Sequence, residues 1–335
     1  MKKRVLSAAC ILLVLMMAGC ESKNEAANTD TEVTAIDNTQ SVINYHLADK
    51  NEAVACYLSN EEYFTDSSIC NIQYKTQNKN GTLEEMKEYG VSQMEEFTDK
   101  EKEVLNKTLK EMEDDAIDNG YKLPPLDEII FIKSTQEEEC GSGAYTHGTQ
   151  IYLGQSILNL ICSNDENMRV YGKSILWHEI FHCYTRNNPD FRKDMYSIIH
   201  FTVQDQEYVL PDSVYEKYIS NPDVEHHDAY ASFEIDGETI DCYVALIATE
   251  PFEQEGDSFF NCMATAIIPV DGSDVYYLPE DTENFWEIFG QNTGYVIDPE
   301  ECLADNFSYA LTYGRDGMEY SDPEIIDAIL DYVTK

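Results

Sequence analysis

Basic side chains are scarce in this 335-residue chain: Lys and Arg number 22 against 64 Asp and Glu, and after residue 193 only Lys217, Arg315 and Lys335 remain. So acidic a chain repels phosphate backbones, which argues against nucleic acid as a partner. The charge serves solubility first, and beyond that would favour cationic peptides or structural Ca²⁺ held by grouped carboxylates. A spaced calcium-loop motif is missing, so the Ca²⁺ reading rests on charge alone. Long apolar runs are missing after the first 17 residues, and with them any later membrane-spanning helix. No internal repeat is present.

The chain opens instead on an export signal. Lys2, Lys3 and Arg4 precede an apolar stretch from Val5 to Met17 that is short for a bilayer-spanning helix. Met17-Ala18-Gly19-Cys20 resembles the lipobox of bacterial lipoproteins, with Met17 where Leu is usual and Cys20 as the lipidated first residue of the mature protein. A plain secretory signal cut nearby and an uncleaved anchor are the other readings. All three place the chain from about residue 21 outside the cytoplasm, lipid-anchored to the cell membrane in the first reading and secreted in the second. Loss of the signal lowers the basic count from 22 to 19. Residues 21–45 are polar, acidic and nearly free of large apolar groups, so they read as a disordered tether. Residues 46–335 read as one catalytic unit of α+β class.

Within that unit, Thr98 to Asp118 carries an N-cap and apolar Val104, Leu105, Leu109, Met112 and Ile117 at helical spacing. Glu128 to Lys133 reads as a buried strand. Gln150 to Leu153 reads as a second strand, an ordinary sheet edge or the edge to which an extended substrate peptide adds. From about residue 228 to 280, alternating segments separated by Asp236-Gly237 and Asp271-Gly272 turns predict a β-rich insertion.

The strongest chemical pattern is His178-Glu179-Ile180-Phe181-His182. On a helix, residues four apart share a face, so His178 and His182 can both reach one Zn²⁺. Glu179 then stands beside the metal as general base for a zinc-bound water. A catalytic site needs a third protein ligand, and Thr185 and Asn188 stand where the metzincin pattern has Gly and His. A ligand from farther on is required. Asp298-Pro299-Glu300-Glu301 opens a helix in which Glu301 and Asp305 share a face. Glu301 is placed to complete the zinc sphere, and Asp305 to take the second nitrogen of a ligating histidine. Tyr295 and the pair His226-His227 are the candidate donors to the oxyanion of the attacked carbonyl, His227 being the catalytic candidate of that pair.

His-Glu-x-x-His on one helix with Glu-x-x-x-Asp on another resembles the gluzincins, the thermolysin-like zinc peptidases. The resemblance covers about a dozen residues. It implies a zincin-like, two-lobed catalytic domain with one Zn²⁺ held by His178, His182 and Glu301. Glu179 would be the base, Asp305 the outer partner, and the substrate a peptide or protein. Gly143 to Leu153 followed by the His178 helix also looks like the zincin arrangement of edge strand and active-site helix, under a small mixed sheet. One departure is the 118 residues between His182 and Glu301, more than thermolysin has, which leaves Glu300 or a nearer His or carboxylate as a substitute ligand. The competing class is a non-catalytic surface lipoprotein whose zinc is structural and whose β-rich insertion binds a host or envelope ligand. Ten cysteines become eight once Cys10 leaves and Cys20 is lipidated. Pairing of sequence neighbours joins Cys56 to Cys70, Cys140 to Cys162 and Cys242 to Cys262. Cys183 and Cys302 each follow a ligand position and would tie the two ligand helices together; free buried thiols are the other reading.

Overall fold

A computed structural model describes residues 43–335. The export signal, Cys20 and the tether up to residue 42 lie outside the described residues. The helices are α1 Lys50–Leu58, α2 Glu61–Thr65, α3 Ile69–Thr76, α4 Leu83–Gln93, α5 Asp99–Asp118, α6 Gln155–Ile161, α7 Glu166–Asn187, α8 Pro189–Ile198, α9 Asp212–Tyr215, α10 Phe285–Phe289, α11 Pro299–Tyr313 and α12 Pro323–Val333. The strands are β1 Tyr45–Leu47, β2 Met94–Glu95, β3 Ile129–Ser134, β4 Ala144–His147, β5 Gln150–Leu153, β6 Thr202–Val203, β7 Ala229–Ile235, β8 Glu238–Ala248 and β9 Met263–Pro269. The class is mixed α+β, with one mixed sheet and one antiparallel sheet.

The first sheet runs β1-β3-β5-β4, with β2 also on β3. Strands β1, β3 and β5 are parallel, whereas β4 turns back on β5 through a two-residue hairpin at Gly148 and Thr149. Successive strand residues face opposite ways, so both faces of this sheet are covered. Ile129, Phe131, Ile151 and Leu153 pack into the cluster that holds Leu105, Leu109 and Met112 of α5 and Leu176, Ile180 and Phe181 of α7. Ile130, Ile132, Tyr145 and Tyr152 meet Ala53, Tyr57, Phe64 and Met86 from the opposite side. The sheet is thus a wedge between two helical layers, and its β4 edge is directed at α7.

Local chemistry explains the main elements. Thr98 accepts from Glu101 N while Glu101 reaches back to Thr98 N, a reciprocal cap that starts α5. The buried stripe of α5 is Leu105, Leu109, Met112 and Ala116, whereas Ile117 is 42% exposed. Spacings of four, three and four close on Ala116, and residue 117 lies one step round the helix. Strands β7, β8 and β9 of the antiparallel sheet β6-β7-β8-β9 occupy the alternating stretch, and β6 joins them from the segment before it. The tightest turn of this sheet uses Asp236 and Gly237 at φ of 54° and 78°, the pair of left-handed conformations that a two-residue hairpin requires.

Three expectations are corrected. Ile43 is buried and Tyr45 pairs with Ile129, so the end of the expected tether belongs to the fold. Gln150–Leu153 is an inner strand, because β4 covers its far side and takes the edge. All eight described cysteines are free. Cys242 stands opposite Pro269 in the β8–β9 register, while Cys262 immediately precedes Met263 at the other end of β9. The length of β9, about 20 Å of strand, therefore keeps these sequence neighbours apart. Cys140 packs beside Tyr74 whereas Cys162 packs against the main core, Cys56 and Cys70 likewise lie in different clusters, and Cys183 and Cys302 are buried in the main core without a bond between them.

Glu138, 1% exposed, has one carboxylate oxygen on the Tyr145 hydroxyl at 2.8 Å and the other without a hydrogen-bond partner. Burial pushes its carboxyl up to about 7. A folded-state value above the unfolded one means stability that is complete below the unfolded pKa and lost as pH rises through 7. Denaturant titrations should show Glu138→Gln gaining on wild type between pH 5 and 8, by up to about 3 kcal/mol. A constant difference across that range would refute the assignment.

Candidate metal centre

Helix α7 begins at Asp165, whose side chain accepts from Asn167 N, and runs for 22 residues. Gly172 lets it lie against α6, since a Cβ there would meet Ile161 Cγ2 at 2.7 Å. Helix α11 begins at Asp298, which accepts from Glu300 N at 2.9 Å, with Pro299 at the first helical position. The two helices pack through Phe181, Tyr184, Leu303 and Phe307. That contact turns the histidine face of α7 toward the acidic first turns of α11.

Four of the predicted residues meet there. His178 Nε2 lies 3.1 Å from Glu301 Oε2, and His182 Nε2 lies 3.6 Å from the same oxygen. One ligand atom each from His178, His182 and Glu301 lies within 4.8 Å of the others. Asp305 Oδ1 accepts from His178 Nδ1 at 2.9 Å and is itself held by the Thr293 hydroxyl through Oδ2 at 2.5 Å. Glu300 is the matching partner of the second ring. Its Oε1 accepts from His182 Nδ1 at 3.0 Å and from Thr185 Oγ1 at 2.5 Å, and its Oε2 from Tyr196 OH at 2.8 Å. As an alternative ligand Glu300 is therefore corrected: it lies on the Nδ1 side of His182 and orients the ring.

The imidazoles and the hydrogen bonds offset the buried acid. Burial alone would keep His178 neutral, but its hydrogen bonds to Asp305 and Glu301 hold it well above the ordinary histidine range. Burial works against ionised Glu301 as well, yet the hydrogen bond with His178, the two imidazoles and the Asn221 amide bring it down to about 2. Glu179 is 4% exposed, and burial raises its carboxyl. The Thr146 hydroxyl of β4 donates to Glu179 Oε2 at 2.7 Å. His182 Nε2 is fully buried and has no hydrogen-bond partner among the described residues. An orphaned buried nitrogen costs about 1 to 3 kcal/mol. A cation between His178, His182 and Glu301 would take its lone pair and satisfy the carboxylate, so these residues fit a metal.

The remaining candidates separate. Tyr295 OH donates to Glu301 Oε1 at 3.1 Å, and its ring lies 6.2 Å from that of His178. His227 is not brought to the cluster: it bonds the Tyr218 hydroxyl at 3.2 Å and packs between Tyr218 and Tyr243. His226 turns to Glu207 at 2.7 Å. Glu207, His226 and Asp228 form another acidic group, but Asp228 is neutralised by both Arg192 terminal nitrogens at 2.6 and 2.8 Å, and nothing there supports structural Ca²⁺. Two residues were missed. Asn221 Nδ2 donates to Glu301 Oε1 at 2.5 Å, and Asp223, 7% exposed, lies 3.9 Å from His182 Nε2. In sequence they belong to a polar Pro-containing loop with no periodicity to mark its partner.

No protein-family model, curated protein or solved structure matches this chain.

If Asp305 and Glu300 fix the two imidazoles, Asp305→Asn and Glu300→Gln should each weaken divalent-cation binding by roughly 10- to 100-fold in chelator competition with zinc. Unchanged affinity in both variants would separate these carboxylates from the centre.

Proposed function

We propose that the chain is an exported, membrane-anchored zinc metallopeptidase, gluzincin-like in its ligands and zincin-like in its two-lobed domain. In this reading it hydrolyses peptide bonds of extracytoplasmic peptides or proteins. The observation that carries the proposal is the buried meeting of His178, His182 and Glu301 around an imidazole nitrogen without a partner, with Glu179 at its side. Zinc, when bound, supplies a Lewis acid that lowers the pKa of a coordinated water to about 7 and polarises the scissile carbonyl.

The chain's own residues do the rest. Glu179 takes the proton of the attacking water and returns it to the leaving amine, and its desolvated site suits a carboxylate that must hold a proton in passing. Thr146 fixes that carboxylate from the β4 side. Asp305 and Glu300 keep the Nδ1 protons of His178 and His182 in place, which makes Nε2 the ligating nitrogen of each ring: that of His182 has no partner, and that of His178 would give up on ligation the proton it shares with Glu301. Tyr295, beside Glu301, is the donor to the developing oxyanion. Export and a lipid on Cys20 would put this chemistry at the outer face of the cell membrane; among the described residues no helix is long and apolar enough to cross it.

One observation favours a second reading. Asn221 and Asp223 approach Glu301 and His182 from a loop outside the two ligand helices. A site closed by protein would make the chain a non-catalytic, zinc-containing surface lipoprotein that binds a host or envelope ligand.

Metal analysis of the purified mature chain tests the proposal. We expect one zinc per chain, affinity lower by orders of magnitude in Glu301→Ala, and full zinc with no peptide-library cleavage in Glu179→Gln. Full cleavage by Glu179→Gln would sink the mechanism, and a wild-type chain without zinc would sink the site.

A further inference from the structure

The β4 edge is already occupied. Its outward-facing groups are those of Ala144, Thr146 and Gly148, because the alternate residues bond to β5, and the last two are capped. Asp223 Oδ1 accepts from Thr146 N at 2.6 Å, and Glu225 Oε1 accepts from Gly148 N at 2.7 Å. Arg186 covers the matching carbonyls, donating to Thr146 O at 3.2 Å and Gly148 O at 3.5 Å while holding Pro222 O at 3.0 Å. The side chains of Asp223 and Glu225, with Arg186 of α7, thus take up the β4 main-chain groups that the backbone of an extended peptide would use on this edge. The segment 221–225 is tied down just upstream as well: Lys75 Nζ donates to Ser220 O at 2.8 Å, and Asn71 Oδ1 accepts from Ser220 N at 3.2 Å.

The same segment reaches the metal position. His182 Nε2, without a hydrogen-bond partner, has Glu301 Oε2 at 3.6 Å and Asp223 Oδ1 at 3.9 Å. Glu179, His182 and Asp223 each offer a ligand atom within 4.8 Å of the others. Among the described residues no cationic side chain hydrogen-bonds the Asp223 carboxylate, which accepts from Thr146 N. Two triads of possible ligands, His178–His182–Glu301 and Glu179–His182–Asp223, therefore meet at His182, and a divalent ion drawn to its Nε2 would come within reach of Asp223.

We propose that Asp223 is a fourth protein ligand and that the segment 221–225 fills the substrate groove, so that the chain as folded is a latent form. The proposal rests on the zinc reading above. Opening the site requires this segment to leave the β4 edge, by displacement or by a cut in it, which frees the fourth position for water and the Thr146 and Gly148 groups for a peptide.

The test uses the mature chain as wild type, Asp223→Ala and Asp223→Asn, the last keeping an acceptor for Thr146 N so that the edge stays capped if the alanine variant fails to fold. Zinc affinity is read by chelator competition, coordination by the visible spectrum of the cobalt(II) form, and activity by a quenched peptide library. We expect one zinc per chain throughout, affinity at least roughly tenfold weaker and an altered cobalt spectrum in both variants, and cleavage at least roughly tenfold faster in Asp223→Ala, whose edge is released. Equal affinities and superimposable cobalt spectra would overturn Asp223 as a ligand while leaving the zinc site intact. Wild-type cleavage as fast as that of Asp223→Ala would overturn latency. Absence of zinc from the wild type would instead remove the reading on which the proposal stands.

Discussion

Ionisable groups buried between α7 and α11 set the terms for the rest of the molecule. Glu179, His182, Glu300 and Glu301 are each no more than 4% exposed, and a charge so far from water is tolerated only when it is paired and hydrogen-bonded. Each carboxylate accordingly has a donor: Thr146 for Glu179, Thr185 and Tyr196 for Glu300, Asn221 and Tyr295 for Glu301. These donors come from β4, from α7 and α8, and from two loops. The arrangement therefore requires most of the fold to be in place before it is satisfied.

The architecture follows from that requirement. The mixed sheet is covered by helices on both faces, which leaves β4 as the strand whose polar edge can serve the α7 site. Arg186 on α7 bridges that edge to the 221–225 loop, so a single buried guanidinium couples the histidine helix, the strand and the loop. The antiparallel sheet packs one face on the same core and so fixes where the chain re-enters at α11. The histidine helix, the β4 edge and the 221–225 loop are thereby joined in one hydrogen-bond network.

Short-range rules were legible where one interaction decides the outcome. The Thr98 cap, the Asp236-Gly237 hairpin and the strand at Gln150–Leu153 all depend on residues within a few positions of each other. So did the ligand faces: residues 178 and 182 share one face of α7, and 301 and 305 share one face of α11, by helical geometry alone. Legibility failed where a long-range contact chooses between local equals. Which strand is the edge depends on the turn-back of β4, and strand register and separate core clusters keep the sequence-neighbour cysteines apart.

Sequence alone determined that two imidazoles and a carboxylate could serve one cation, because the helical period places residues four apart on one side whatever surrounds them. It also determined the pairing of His178 with Asp305 as a possibility, through the spacing of Glu301 and Asp305. Tertiary structure decided the rest. It set Glu300 against His182 Nδ1, sent His227 to Tyr218, and brought Asn221 to Glu301 and Asp223 to His182. Those outcomes depend on how a non-periodic loop crosses a strand edge, and such a path is set by the packing of segments far apart in the chain, which no local spacing encodes.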